Sequence, residues 1–166
     1  KKLSPIITEL EDGSILLDFR KVITGWLKVN FAPMPQGKEV CMEYSDHLSE
    51  KDIFESQGES DLYIANGKGN EQFCNKFHHH AFQYVRVKGA DILDAQALQI
   101  SALNPKQASE FSCWDFIRFG AIHDMIQYTM QCLTFSGYMV DCPHLERMGY
   151  GGDGNSSTMT LQTMYD

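Results

Sequence analysis

The hydrophobic period of this chain changes once, near residue 104, and no other feature limits its fold so much. Up to Asn104 the apolar residues come in short runs, at 14–19, 25–31, 39–44, 62–65, 82–88 and 98–102, each bounded by turn residues. Between them lie turn compositions such as Glu11-Asp12-Gly13, Pro33-Met34-Pro35-Gln36-Gly37 and Asn66-Gly67-Lys68-Gly69-Asn70. Short strands at this spacing predict an antiparallel β-sandwich over residues 1–104, with the polar stretch 45–60 as a long loop at its rim. After Pro105 the step becomes three and four. Phe116, Phe119, Ile122, Ile126, Met130 and Leu133 then share one helix face. Gly137 reads as the stop of that helix, and a second helix is expected from Ser156-Ser157-Thr158. One amphipathic helix and a short second one cannot bury their own stripes, so residues 105–166 read as a helical domain cut short. Its face from 116 to 133 is expected to be exposed unless further sequence covers it.

Charge narrows the function. The 166 residues carry 14 Lys+Arg against 22 Asp+Glu, for a net charge of −8, with no basic cluster. Neither nucleic acid nor an anionic membrane surface is expected as a partner. No run approaches the roughly 18 apolar residues of a membrane helix, and no signal peptide follows Lys1-Lys2. The five cysteines form no CxxC pair or metal-like spacing and read as buried thiols, which leaves the compartment open.

The chemistry concentrates in the stretch 139–153, Met-Val-Asp-Cys-Pro-His-Leu-Glu-Arg-Met-Gly-Tyr-Gly-Gly-Asp. It holds three carboxylates and one aromatic ring among glycine and proline turns. Tyr150 can stack on an apolar sugar face while Asp141 and Asp153 accept hydrogen bonds from hydroxyls. A glycosidase needs one carboxyl group kept protonated near neutral pH, and crowded acids beside an aromatic wall raise one pKa. Spacing alone fits a structural acidic turn equally. Elsewhere the plainer reading holds. His78-His79-His80 lacks a third metal ligand and reads as a packed or solvent-facing run. Asp153-Gly154-Asn155 lacks the alternating ligands of a calcium loop. Cys142 and His144 have nothing to orient the imidazole, so Cys142 reads as an inert thiol. Trp26 and Trp114 stand at apolar positions and read as core.

The pattern Asp141-Cys142-Pro143-x-x-Glu146-Arg147-x-Gly149-Tyr150-x-Gly152-Asp153 resembles the signature of bacterial α-L-rhamnosidases, glycoside hydrolase family 78. Upstream, Asp18-Phe19-Arg20-Lys21 with Thr24-Gly25-Trp26-Leu27 is similar to the family's DFG-x-N-x-x-GW strand pair. Asp61-Leu62-Tyr63-Ile64, Phe77 and Ala81-Phe82-Gln83-Tyr84-Val85 resemble its D-x-Y … F … GFRYV stretch, and 109–113 its entry to the catalytic domain. The resemblance implies a β-sandwich, 1–104, followed by the first helices of an (α/α)6 barrel, 105–166, with the remainder of that barrel as a required partner. It implies cleavage of terminal α-L-rhamnose from a glycoside or polysaccharide with inversion, using no cofactor and no metal. Glu146 would be the general acid, and Asp141 and Asp153 would bind the sugar hydroxyls. Tyr150 would line the pocket where the family usually has tryptophan. The base would be a glutamate from a later part of the barrel, absent from this chain, so residues 1–166 alone are expected to be inactive. Leu145 stands where the family commonly has arginine. Together with Tyr150 it encourages one alternative, a related (α/α)6 enzyme acting on another deoxyhexose or a uronide; a non-catalytic carbohydrate-binding β-sandwich with a helical appendage is the other.

Overall fold

A computed structural model describes every residue except 57, 105, 107, 112–116 and 166, and the side chain of Ile117. Cys113, Trp114 and Phe116, named above, lie outside the described residues. The short strands β1 (Lys2–Leu3) and β2 (Ile6–Glu9) precede β3 (Ile15–Phe31), one strand of 17 residues where the pattern predicts two. The reason is local. Asp18 Oδ1 accepts the Arg20 N–H at 2.6 Å, and Arg20 adopts φ 65°. This side-chain-supported bend reads as a turn in the sequence, yet the strand resumes beyond it as a bulge. Leu17, Phe19, Ile23, Leu27, Val29 and Phe31 alternate into the core on either side of it, none more than 3% exposed. Gly25 allows a close approach: a Cβ there would stand 2.2 Å from the Leu98 carbonyl oxygen.

The remaining strands are β4 (Glu39–Ser45), β5 (Ser60–Ile64), β6 (Glu71–Cys74), β7 (His80–Lys88) and β8 (Ile92–Gln99). They join β1–β3 in an eight-stranded antiparallel sheet of order β1-β8-β3-β7-β4-β5, with β2 and β6 also paired to β3. The register of β3 against β7 slips between Asp18 and Ile23, at the bulge. Although β3 and β5 are not neighbours in that order, the rings of Phe31 and Tyr63 stack at 5.5 Å, so the sheet folds back on itself as a sandwich-like layer pair. Besides the short β1 and β2, two strands escape the sequence pattern. The last runs over 92–99 and not 98–102, because its inward residues are the weakly apolar Ala95 and Ala97. In β6 the inward residue is Glu71, 5% exposed, which accepts the Tyr63 hydroxyl and the amides of Asn66 and Gly67. The loop after β4 carries Phe54 inward, 7% exposed, with the Arg86 guanidinium 4.7 Å above its ring.

Inside this unit lies a charged cluster. His80, 1% exposed, places Nδ1 2.7 Å from Glu59 Oε2 and Nε2 3.0 Å from Asp61 Oδ2, and stacks on Tyr44 at 3.8 Å. Asp61 Oδ2 also accepts the Tyr44 hydroxyl and the Asn75 amide, both at 2.7 Å. Asn75 in turn accepts the Leu27 N–H at 2.8 Å. The packed reading of the histidine run thus holds for His80, whereas His78 is exposed.

Compact units span Lys1–Gln99 and Ile100–Asp166. The change falls a few residues before Asn104 because the Ala102 N–H bonds to the Thr134 carbonyl, within the second unit. That unit contains α1 (Ile117–Leu133), a hairpin of β9 (Thr134–Phe135) and β10 (Tyr138–Met139), and α2 (Gly151–Met164). Gly137 does not stop α1. With Ser136 at φ 55° and Gly137 at φ 85°, the pair forms the two-residue turn of the hairpin, a conformation that favours glycine. Helix α2 begins five residues before Ser156, with Asp153 in its first turn, where a carboxylate complements the helix dipole. Asp153 is therefore a helical residue and not part of a glycine turn. Phe119 and Ile122 are 51% and 45% exposed, as the stripe analysis expects, and no residue of α2 is buried. Of the free thiols at Cys41, Cys74, Cys132 and Cys142, only Cys132 is buried, against the expectation for the set. No helix among the described residues is long and apolar enough to cross a membrane.

Candidate active site

The loop between β10 and α2 is closed by its own backbone. Val140, 1% exposed, donates its N–H to the Leu133 carbonyl at 2.9 Å and pins the start of the loop. Seven residues on, the Asp141 N–H reaches the Met148 carbonyl at 3.1 Å, while the Met148 N–H returns to Asp141 Oδ1 at 3.2 Å. Within that span the Cys142 carbonyl accepts the Leu145 and Arg147 amides, at 3.4 and 3.1 Å, and Arg147 turns the chain at φ 58°. Buried Pro143 holds the corner.

This closure brings together three of the residues singled out from the sequence. The Tyr150 hydroxyl is hydrogen-bonded to the Glu146 carboxyl, and Glu146 is hydrogen-bonded to Asp141. Asp153, the fourth, stands in the first turn of α2, its backbone carbonyl accepting the Ser156 hydroxyl at 3.1 Å. It joins the other three by no hydrogen bond among the described residues. Glu146, Leu145 and Tyr150 are all exposed, so a ligand reaches them from solvent.

Partial burial opposes the charge of Asp141. Hydrogen bonds from the Cys142 amide and thiol, from Glu146 and from the Met148 amide outweigh it and hold the carboxyl below its ordinary value. The hydrogen bond to Glu146, and then the charge of that carboxyl, push the Tyr150 phenol above its ordinary value. Ligand-type atoms of Asp141, Cys142 and Glu146 lie within 4.8 Å of one another, a proximity that the hydrogen bonds among them account for.

One participant escapes the sequence reading. Cys142, rejected above as a nucleophile, takes part through a hydrogen bond: its Sγ donates to Asp141 Oδ2 at 3.1 Å. Only its position next to Asp141 hints at this.

The comparisons with known proteins bear on the family and the fold. Residues 8–104 match the model of the bacterial alpha-L-rhamnosidase concanavalin-like domain, and residues 106–166 that of the bacterial alpha-L-rhamnosidase 6 hairpin glycosidase domain. The chain belongs to the bacterial α-L-rhamnosidase family. Within that family it is 29% identical to an alpha-L-rhamnosidase of Formosa agariphila over 157 residues, 87% of this chain and 16% of the relative. Among solved structures, the α-L-rhamnosidase of Dictyoglumus thermophilum matches with a TM-score of 0.85 at 27% identity, over 100% of this chain and 20% of the other. The Streptomyces avermitilis α-L-rhamnosidase, a complex with L-rhamnose, matches with a TM-score of 0.85 at 21% identity over 99% and 17%. The last likeness is one of fold. The chain thus spans about a fifth or less of the length of these rhamnosidases.

Proposed function

We propose that this chain forms part of a glycoside hydrolase that cleaves terminal α-L-rhamnosides, with Glu146 as the general acid. The observation that carries the reading is the hydrogen bond between the Glu146 and Asp141 carboxyls on an exposed loop. General-acid catalysis needs a carboxyl group within reach of the glycosidic oxygen, and Glu146 is exposed on this loop. Departure of the aglycone requires a proton on the leaving oxygen. We assign Asp141 and Asp153 to the sugar hydroxyls, and the Tyr150 ring to the wall of the pocket. Tyr150 differs from a tryptophan there, since its hydroxyl also engages the acid. Inversion needs a second carboxylate roughly 6.5–9.5 Å from the acid, with a water between them. We assign that base to a glutamate outside these 166 residues, in keeping with relatives five times longer or more.

The reading of another deoxyhexose or a uronide as substrate rests on Leu145. It is 60% exposed beside Glu146 and presents an apolar side chain to the ligand.

The test is hydrolysis of an alkyl α-L-rhamnoside by the full-length parent protein and its Glu146→Gln variant. Turnover that falls by about 10²- to 10⁴-fold in the variant, with rhamnose affinity retained, is expected for loss of a general acid. A variant as active as the parent contradicts the assignment.

A further inference from the structure

Every side-chain hydrogen bond that orients Asp141 or ties it to the Glu146 backbone passes through, or opposite, one residue. The Cys142 thiol donates to Asp141 Oδ2 at 3.1 Å, and the same sulfur accepts the Glu146 N–H at 3.5 Å. The other oxygen, Asp141 Oδ1, is taken by the Met148 N–H at 3.2 Å. Both oxygens of Asp141 thus have a donor that is not Glu146, which fixes the plane of the carboxylate. The main chain of Cys142 closes the loop separately, through its carbonyl and the amides of Leu145 and Arg147. Side-chain and main-chain roles of this residue are therefore separable by substitution.

We propose that Cys142 is a positioning residue for Asp141 and Glu146: its thiol holds the Asp141 carboxylate in place, and its sulfur anchors the Glu146 backbone. The consequence for catalysis rests on the assignment of Glu146 as the acid. The hold on Asp141 itself does not.

An S–H group is a weak donor, but directed at a carboxylate it favours the charged form. Without it the Asp141 carboxyl loses one of the donors that hold it below its ordinary value, and the Glu146 backbone loses its anchor.

Two readouts separate this proposal from the reading it builds on. The first uses the full-length parent with ¹³C-labelled aspartate: the Asp141 carboxyl signal, assigned by its loss in Asp141→Asn, is titrated by NMR in the wild type, in Cys142→Ala and in Cys142→Ser. The Ala variant is expected to titrate at higher pH, and Ser, which restores a donor, close to the wild type. If Ala disorders the loop, Cys142→Val fills the space without a donor and takes its place. An unmoved titration in the donor-free variant, or a Ser variant shifted as far as Ala, overturns the proposal whatever the activity. The second is kcat in the full-length parent. Cys142→Ala is expected to lose about tenfold, the scale of a hydrogen bond to a charged group, with Ser restoring it. Equal losses in Ala and Ser show a merely structural residue and also overturn it. If the NMR shift appears but the parent cleaves no rhamnoside, the hold of Cys142 on Asp141 stands and the reading of Glu146 fails.

Discussion

The two units of this chain place charge and oil in opposite ways. In the β unit, His80, Glu59 and Asp61 lie inside, the histidine 1% exposed, while Leu17, Phe31, Val40 and Phe82 fill the core around them. In the helical unit the apolar residues Phe119, Met125 and Met159 face outward, at 51%, 61% and 79% exposure, and the acids Asp141 and Glu146 sit on a loop open to solvent. The β unit is ordered by its own interior, where Glu59 and Asp61 both meet His80. The helical unit has little interior of its own, and its loop carboxyls are open to solvent. The proposal made above gives chemistry to the second unit and stability to the first.

That division can be broken at graded strength. The largest effect is expected from His80→Ala, which takes from Glu59 and Asp61 the buried imidazole that each of them meets. Removing one member of a buried pair costs about 3–5 kcal/mol, and urea unfolding of the chain followed by the β-unit signal measures it. The same cluster sets an acid limit. Burial alone would raise Asp61, but hydrogen bonds from His80, Tyr44 and Asn75 prevail and hold its carboxyl below the ordinary 3.8. A depressed carboxyl contributes stability that is complete above its unfolded value and lost as pH falls through its folded one. Stability of the β unit should therefore decline below about pH 4, a slope set by that ordinary value, and the decline should be shallower in Asp61→Asn. Next comes Gly25→Ala, whose Cβ meets the Leu98 carbonyl oxygen, a backbone atom that cannot rotate away. Overpacking of this kind costs about 1–3 kcal/mol, read as a lower denaturation midpoint. Arg20→Gly runs the other way. It relieves a left-handed residue at φ 65° and should stabilise by about 1 kcal/mol. Last is Met159→Ser, at a 79% exposed site, with a change within about 0.5 kcal/mol. A large loss there would show that α2 has an interior after all.

Much of this was legible in the sequence, and the gaps have physical causes. Alternation along 39–44 and 82–88 announced β4 and β7 because their inward residues are large and apolar. It failed at β8, where Ala95 and Ala97 bury little surface, and at β6, where the inward residue is Glu71. The bulge at Asp18-Phe19-Arg20 looked like the end of a strand, since an Asx bend has the same composition whether or not pairing resumes. Gly151, Gly152 and Gly154 read as loop, yet they form the first turn of α2 with Asp153. In the site, Asp141, Glu146 and Tyr150 were visible as residue types, and the fold brings them together. The thiol of Cys142 was not visible, because its bond to Asp141 depends on how the loop closes through Met148.

The central claim, that Glu146 delivers a proton to the leaving oxygen, is tested most directly by varying the leaving group. Full-length parent and Glu146→Gln proteins are assayed on α-L-rhamnosides of a dinitrophenol, a nitrophenol and an alkyl alcohol. A departing dinitrophenolate needs no proton, whereas an alkoxide does. The account predicts that the variant keeps most of the parent's rate on the dinitrophenyl glycoside and loses progressively more as the leaving group becomes more basic. A loss of equal size on all three would contradict it, and would assign Glu146 to binding the sugar and not to protonating the bond.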